Sequence, residues 1–300
     1  MHRSRAKANS VQDDTDQNRL TPASELSNLN EREKKAVDHQ SRPSAALIHE
    51  TIRAEGEREL NRSGVALMLS GFSAGLSIGF SVVVPAILMV ALPDTSWEHL
   101  LTSLGYTVGF LIVVLGRQQL FTENTLTPVL PLLKFRDRHH LGQVLRLWSI
   151  VLVSNIAATW VFSAVLAHTP VFDPQIRAAI AAFSQTAIQY DFWPTFLKAV
   201  FAGWLIALMV WLMPAAGDAK PLVIIIVTYV VALAHLAHII AGSVEASFLV
   251  HLGEASLADY AFRFFVPTLL GNTLGGVTLV ACLNFGQVAP ELEQEGTPRD

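Results

Sequence analysis

Residues His235–Ser247 read HLAHIIAGSVEAS. They lie inside an apolar run that otherwise extends from Leu222 to Val250. Two histidines, a Gly-Ser pair and a glutamate stand where a lipid-spanning helix carries hydrocarbon. Ionisable groups at that depth are costly and default to a functional role. A Gly-Ser interruption is tolerated there only where the backbone is buried in protein or lines a wet cavity. The stretch therefore predicts a pore or a binding site, with Gly242-Ser243 as the break and His238 beside it.

The rest of the chain suits such a site. It has 300 residues, is 51% hydrophobic and has a mean hydropathy of +0.41. Most charges fall before Gly64, in two short loops or in the last ten residues. This is the pattern of a multi-pass membrane protein surrounded by lipid. No basic face emerges, which argues against a nucleic-acid partner. The single cysteine, Cys282, excludes an intrachain disulfide and a cysteine-based metal cluster. Met1–Asn30 is polar and offers no signal-peptide core.

Residues 1–43 are polar and poor in aromatic and β-branched side chains, which predicts a disordered tail. Residues 44–62 alternate apolar and charged positions. They read either as an amphipathic helix lying at the membrane surface or against the protein, or as a solvated helical lead-in. A transmembrane domain is expected over 63–286, followed by a short tail at 287–300. Its apolar spans run about Gly64–Leu92, Leu100–Leu133, Val144–Leu166, Phe196–Met213, Leu222–Val250 and Phe264–Phe285. The second and fifth exceed the roughly 20 residues that one crossing needs. Both are interrupted, and Asn155 and Asn272 mark the third and sixth. Paired broken helices at matching places predict an all-α, inverted 3+3 repeat with a site at the membrane midplane. Lys134, Arg136, Arg138, Arg146, Arg53, Arg58 and Arg62 cluster on one side, which predicts cytoplasmic termini.

His235 and His238 are three apart, so a continuous helix would place them on one face, with Glu245 two turns further on. That set suggests either a metal site or a pore histidine at His238 with a structural His235. The second span breaks over Arg117–Thr127, RQQLFTENTLT. Leu120 and Phe121 in that break suit a dry constriction, with the Thr122 hydroxyl beside it. Arg117 and Glu123 are expected to pair internally and fix the loop, with Asn124 among its polar groups and Glu245 as the matching acid of the fifth span. Asn155 and Asn272 sit among small residues and are expected to tie broken helices to their neighbours. The tryptophans at 97, 160, 193, 204 and 211 read as membrane-belt residues.

Three motifs in order, Gly105–Thr122 ending in LFT, the broken fifth span with His238, and PTLLGNTLGG over Pro267–Gly276, resemble the formate/nitrite transporter family. The resemblance covers about Gly64–Phe285 and is nearest to a divergent inner-membrane branch reading RQQLFTENT and HIIxGSVE. It implies an aquaporin-like six-span fold, a homopentamer with one pore per protomer, the cell inner membrane, and conduction of small monovalent anions such as formate or nitrite. It also implies that His238 is the central histidine and Thr122 the threonine facing it. Leu120, Phe121 and Phe110 would line the cytoplasmic-side constriction, and Tyr106 the periplasmic-side one. Val231 stands where the family has an aromatic. Other departures are Ala237, Gly242, Ala207, Asp191 and Gln119, each at a place where the family carries a polar or charged group.

The expected function is a channel or transporter without enzyme activity, cofactor or bound metal. A histidine with an ordinary pKa of about 6.5 would help a weak-acid anion pass the dry gate with a proton. Three rival readings remain: an aquaporin-like channel for small neutral solutes, a membrane metalloenzyme using His235, His238 and Glu245, and a scaffold with a closed pore.

Overall fold

The computed structural model describes residues 43–283 and 286–287. The expected tails at 1–43 and 287–300 lie outside the described residues, apart from Pro43 and Gln287. Every regular element among the described residues is helical.

The chain enters through α1 (Ala45–Leu60). Ser44 caps it, its hydroxyl accepting the Leu47 N–H at 3.2 Å, which satisfies one of the orphan donors of a helix start. α1 buries Ile52 and Leu60, while Arg53 bonds Glu50 and Glu57 along its length. We call the side on which α1 lies the near face. Ser63 caps α2 (Gly64–Ile78) in the same way, and α3 (Phe80–Ala91) continues it to the far face.

The chain returns through α4 (Glu98–Gly105) and α5 (Thr107–Leu115). Gly105 lies against Pro85, where a Cβ would stand 2.7 Å from the proline nitrogen. After an interruption, α6 (Val129–Phe135) reaches the near face. Asp137 caps the long α7 (Arg138–His168), its carboxylate accepting the His140 N–H at 2.8 Å. There follow α8 (Pro174–Ser184), α9 (Phe192–Leu212), α10 (Lys220–Leu233) and α11 (Ala241–Leu252). The last membrane segment is α12 (Val266–Leu274), flanked by wide helical turns at Asp259–Phe265 and Gly275–Cys282.

Five helices among the described residues are long and apolar enough to cross a membrane: Gly64–Ala91, Glu98–Leu115, Arg138–His168, Phe192–Ala215 and Asp259–Ala281. α10 and α11 hold 14 and 12 residues. Neither reaches the roughly 20 residues of a crossing by itself.

The two interruptions have the same backbone design. After α5, Gln118 N–H bonds Val113 C=O at 3.0 Å and Arg117 N–H bonds Val114 C=O at 3.1 Å. After α10, Leu236 N–H bonds Val231 C=O and His235 N–H bonds Ala232 C=O, both at 2.9 Å. This nested pair closes a helix through one left-handed residue. That residue is Arg117 (φ 51°) in one break and His235 (φ 48°) in the other. The second break therefore spans Ala234–Ile240, upstream of the expected position. Gly242 and Ser243 lie in the first turn of α11. Gly242 is needed for packing instead: a Cβ there would stand 2.6 Å from the Phe264 ring.

One asparagine ties down each break. Asn155 on α7 accepts the Phe121 N–H at 2.9 Å and donates to Gly71 C=O at 2.7 Å and Gln119 C=O at 2.9 Å. Asn272 on α12 accepts the Ile239 N–H at 2.8 Å and donates to Ala199 C=O at 2.8 Å and Ala237 C=O at 2.9 Å. Each amide thus joins a broken segment to the neighbouring helix, α2 or α9. A glycine makes room on each of those helices. A Cβ would stand 2.4 Å from Asn155 C=O at Gly75, and 2.3 Å from Asn272 C=O at Gly203. Small residues of this kind let membrane helices approach closely.

Candidate functional site

The two breaks meet at the centre of the domain. Thr122 Oγ1 and His238 Nε2 lie 2.8 Å apart, both fully buried. The other ring nitrogen is occupied: His238 Nδ1 accepts the Ala241 N–H at 3.1 Å and the Ile240 N–H at 3.3 Å. The imidazole thereby caps the start of α11. An acceptor at Nδ1 places the ring proton on Nε2. Nε2–H donates to Thr122 Oγ1, which leaves the threonine hydroxyl proton for another acceptor. A second proton on Nδ1 would set N–H against two N–H groups, so the resting ring is neutral.

Above His238 a cavity opens toward the far face. Val231, Tyr106, Phe264 and Glu245 form its buried wall, and Tyr190, Lys198 and His235 stand at its more exposed end. Phe110 meets the His238 ring edge-on at 5.0 Å and the Tyr106 ring at 5.3 Å, so it packs against both. Toward the near face, Leu120 and Phe121 are buried, and Phe121 packs edge-on against Trp148 at 5.9 Å. Asn124 braces this break: its amide donates to Gln119 Oε1 at 2.9 Å and its C=O accepts Trp148 Nε1–H at 2.8 Å. Ser243 bonds Tyr260 Oη at 2.6 Å and Thr159 Oγ1 at 3.1 Å, which fixes the start of α11 on α7.

Several expectations are corrected. His235 and His238 do not share a helix face, because α10 ends at Leu233 and the backbone turns left-handed at His235. His235 is exposed at the cavity mouth while His238 is buried. Among the described residues no three His, Cys, Asp or Glu side chains are gathered to hold a metal, so the proposed trio is not assembled. Arg117 does not pair with Glu123. The left-handed turn sends its side chain outward to Glu55 of α1, and it is 72% exposed. Glu123 is left with a buried carboxyl oxygen that has no hydrogen-bond partner. Glu245 is not a matching structural acid, since it faces the cavity and forms no ion pair among the described residues. Trp211 is no belt residue: it is buried beside His49, with ring centroids 6.4 Å apart. Phe264, Lys198 and Tyr190 line the cavity and escaped the sequence reading. They sit far apart in sequence and carry no local motif.

Residues 46–286 match the formate/nitrite transporter family. The chain belongs to the formate/nitrite transporter family. It is 40% identical to inner membrane protein YfdC of Escherichia coli over 267 residues, covering 88% of this chain and 86% of that protein. It is 23% identical to the formate channel BtFdhC of Bacillus thuringiensis over 244 residues, covering 79% and 93%. Its fold is similar to a pentameric formate channel solved with formate bound, with a TM-score of 0.63 at 20% identity, covering 75% of this chain and 98% of that one. It is also similar to an FNT family ion channel, with a TM-score of 0.70 at 18% identity, covering 80% and 98%. Relatives named as channels and transporters place the formate/nitrite transporter family outside enzyme chemistry.

Proposed function

We propose that this chain is a channel for the anions of small weak acids, of the formate and nitrite class, with one pore per protomer. The observation that carries the reading is the 2.8 Å contact between Thr122 and His238, where the two broken segments meet at the floor of the cavity. A bare anion loses its hydration in a dry constriction at a cost of many kcal/mol. Thr122 O–H and, once that hydroxyl swings away, His238 Nε2–H offer two donors where that loss is greatest. The donors act from a neutral ring. The proton that accompanies the anion then comes from solution, and His238 steadies the weak acid while it passes Leu120 and Phe121.

The same reading covers the architecture. The matching turns at Arg117 and His235, and the matching ties of Asn155 and Asn272, support six crossings arranged as an inverted 3+3 repeat. The fold's likeness to a pentameric channel supports a homopentamer embedded in lipid. The relation to YfdC supports the cell inner membrane. Arg53, Arg62, Lys134 and Arg146 gathered near α1 support a cytoplasmic near face.

The test is uptake of formate, nitrite and glycerol into proteoliposomes with His238→Ala and His238→Gln. Formate and nitrite uptake should fall at least about tenfold in His238→Ala and partly recover in His238→Gln, which retains an N–H donor. A titrating role for the histidine predicts no recovery in His238→Gln. Glycerol uptake alone, indifferent to both changes, would replace the anion channel with a channel for neutral solutes.

A further inference from the structure

The corner between α6 and α7 carries positive charge that the fold leaves over. Lys134, Arg136 and Arg138 follow one another closely there, and all three are exposed. Asp137 is the acid among them, and it is committed to His140, whose backbone N–H and ring Nδ1 it meets at 2.8 Å and 2.7 Å. Lys134 stands 3.7 Å from Glu50 of α1. Arg136, in left-handed backbone, returns its Nε–H to Leu133 C=O at 3.0 Å. Neither Arg136 nor Arg138 has a carboxylate partner among the described residues.

α7 sets this corner against the lipid. Its 31 residues rise about 46 Å, close to the thickness of a bilayer with its headgroups, about 40–45 Å. The corner therefore falls in the headgroup layer. From Arg138 an outward stripe runs along α7 at helical spacing, with Leu141, Leu145 and Val153 exposed. Ser149 stands in the same stripe, but its hydroxyl is turned back to Leu145 C=O at 2.8 Å. Nothing from another element lies within 4 Å of a Cβ built at Gly142, so the start of the stripe is uncovered. Phe135, at the end of α6, is exposed beside it. The face presents cations first and hydrocarbon below them, the order in which a phospholipid presents its phosphate and its chains.

We propose that Arg136 and Arg138 hold the phosphate of an anionic phospholipid whose chains lie along Leu141 and Leu145. The planar donor fork of arginine matches a phosphate oxygen pair. Each basic residue beside an anionic lipid surface is worth about a fivefold gain in affinity. The apolar stripe makes a lipid, and not free phosphate, the occupant. The site lies apart from the cavity and does not depend on which solute the pore passes.

The experiment is native mass spectrometry of the detergent-purified protein with phosphatidylglycerol and with phosphatidylcholine of the same chains. The wild type should bind phosphatidylglycerol at least about tenfold more tightly. Arg136→Gln with Arg138→Gln should abolish that preference and leave phosphatidylcholine binding unchanged. Either single variant should lose about fivefold, and it serves if the double variant fails to assemble. Arg58→Gln, which removes an exposed cation of α1, should change nothing. Leu141→Ser with Leu145→Ser should weaken both lipids alike. Equal binding of the two lipids by the wild type overturns the proposal, as does a preference that survives loss of the arginines. An equal loss in Arg58→Gln would reduce the effect to general surface charge and reject the site. Displacement of phosphatidylglycerol by millimolar inorganic phosphate would reject the lipid as occupant.

Discussion

At the scale of single residues, Asn272 ties the second break to its neighbours through the backbone. Its amide makes three bonds to the backbone of α9 and of the Ala234–Ile240 segment. Interhelical hydrogen bonds in membranes average roughly 0.6 kcal/mol each. Asn272→Ala should therefore cost about 2 kcal/mol, seen as a lower Tm of the detergent-purified protein. An unchanged Tm would mean that the packing of α9 on α12 alone sets the break. The residues that decide the site were legible where chemistry clashes with surroundings. His238 and Thr122 stood out because polar groups are rare in apolar spans. Arg117 was misread because its partner, Glu55, lies on α1, far back in the chain. No local pattern says which of two acids a surface arginine will choose.

At the scale of elements, α1 depends on the ionisation of a residue it buries. His49 is 1% exposed, and burial lowers its pKa. Glu50 acts in the opposite sense, while Arg53 and Lys134 lower it further. An imidazole with a lowered value binds fewer protons docked than undocked. Docking of α1 is therefore fully present above the ordinary value of about 6.5 and is lost as pH falls below it toward the docked value. The neighbouring Glu50, held low by its hydrogen bonds to Arg53, changes charge only in more acidic solution. Hydrogen exchange across Ala45–Leu60, corrected for intrinsic rates, should show weaker protection at about pH 5.5 than at about pH 7.5. His49→Leu should remove that difference, and a difference that survives the substitution would assign it elsewhere. The long apolar runs announced most of the helices, since length and hydropathy suffice for that. The second break was placed too late, because Gly242-Ser243 looks like a break in composition. The true turn is at His235, where no glycine marks the left-handed residue that ends the helix. α8 also went unseen, although Asp173-Pro174 is a fair helix start, because a short helix between spans has no hydropathy signal.

At the scale of the whole molecule, the two breaks bring matching turns and matching asparagine ties to one buried contact, and the differences between them locate the function. The first break contributes the dry pair Leu120 and Phe121 with Thr122. The other contributes His238 and, deeper in α11, Glu245. The pair of breaks was visible in sequence as two overlong, interrupted spans. The contact between the breaks was expected only through the family resemblance, which sets Thr122 opposite His238; no spacing gives it, because it depends on the register of helices separated by more than a hundred residues. Passage of a weak acid through this pore together with its proton is read most directly from the pH inside a vesicle. Proteoliposomes loaded with a pH-sensitive dye would be mixed with formate outside, beside protein-free vesicles of the same lipid. The lumen should acidify faster with the protein than without it. Formate entry with no acidification beyond the protein-free vesicles would contradict it.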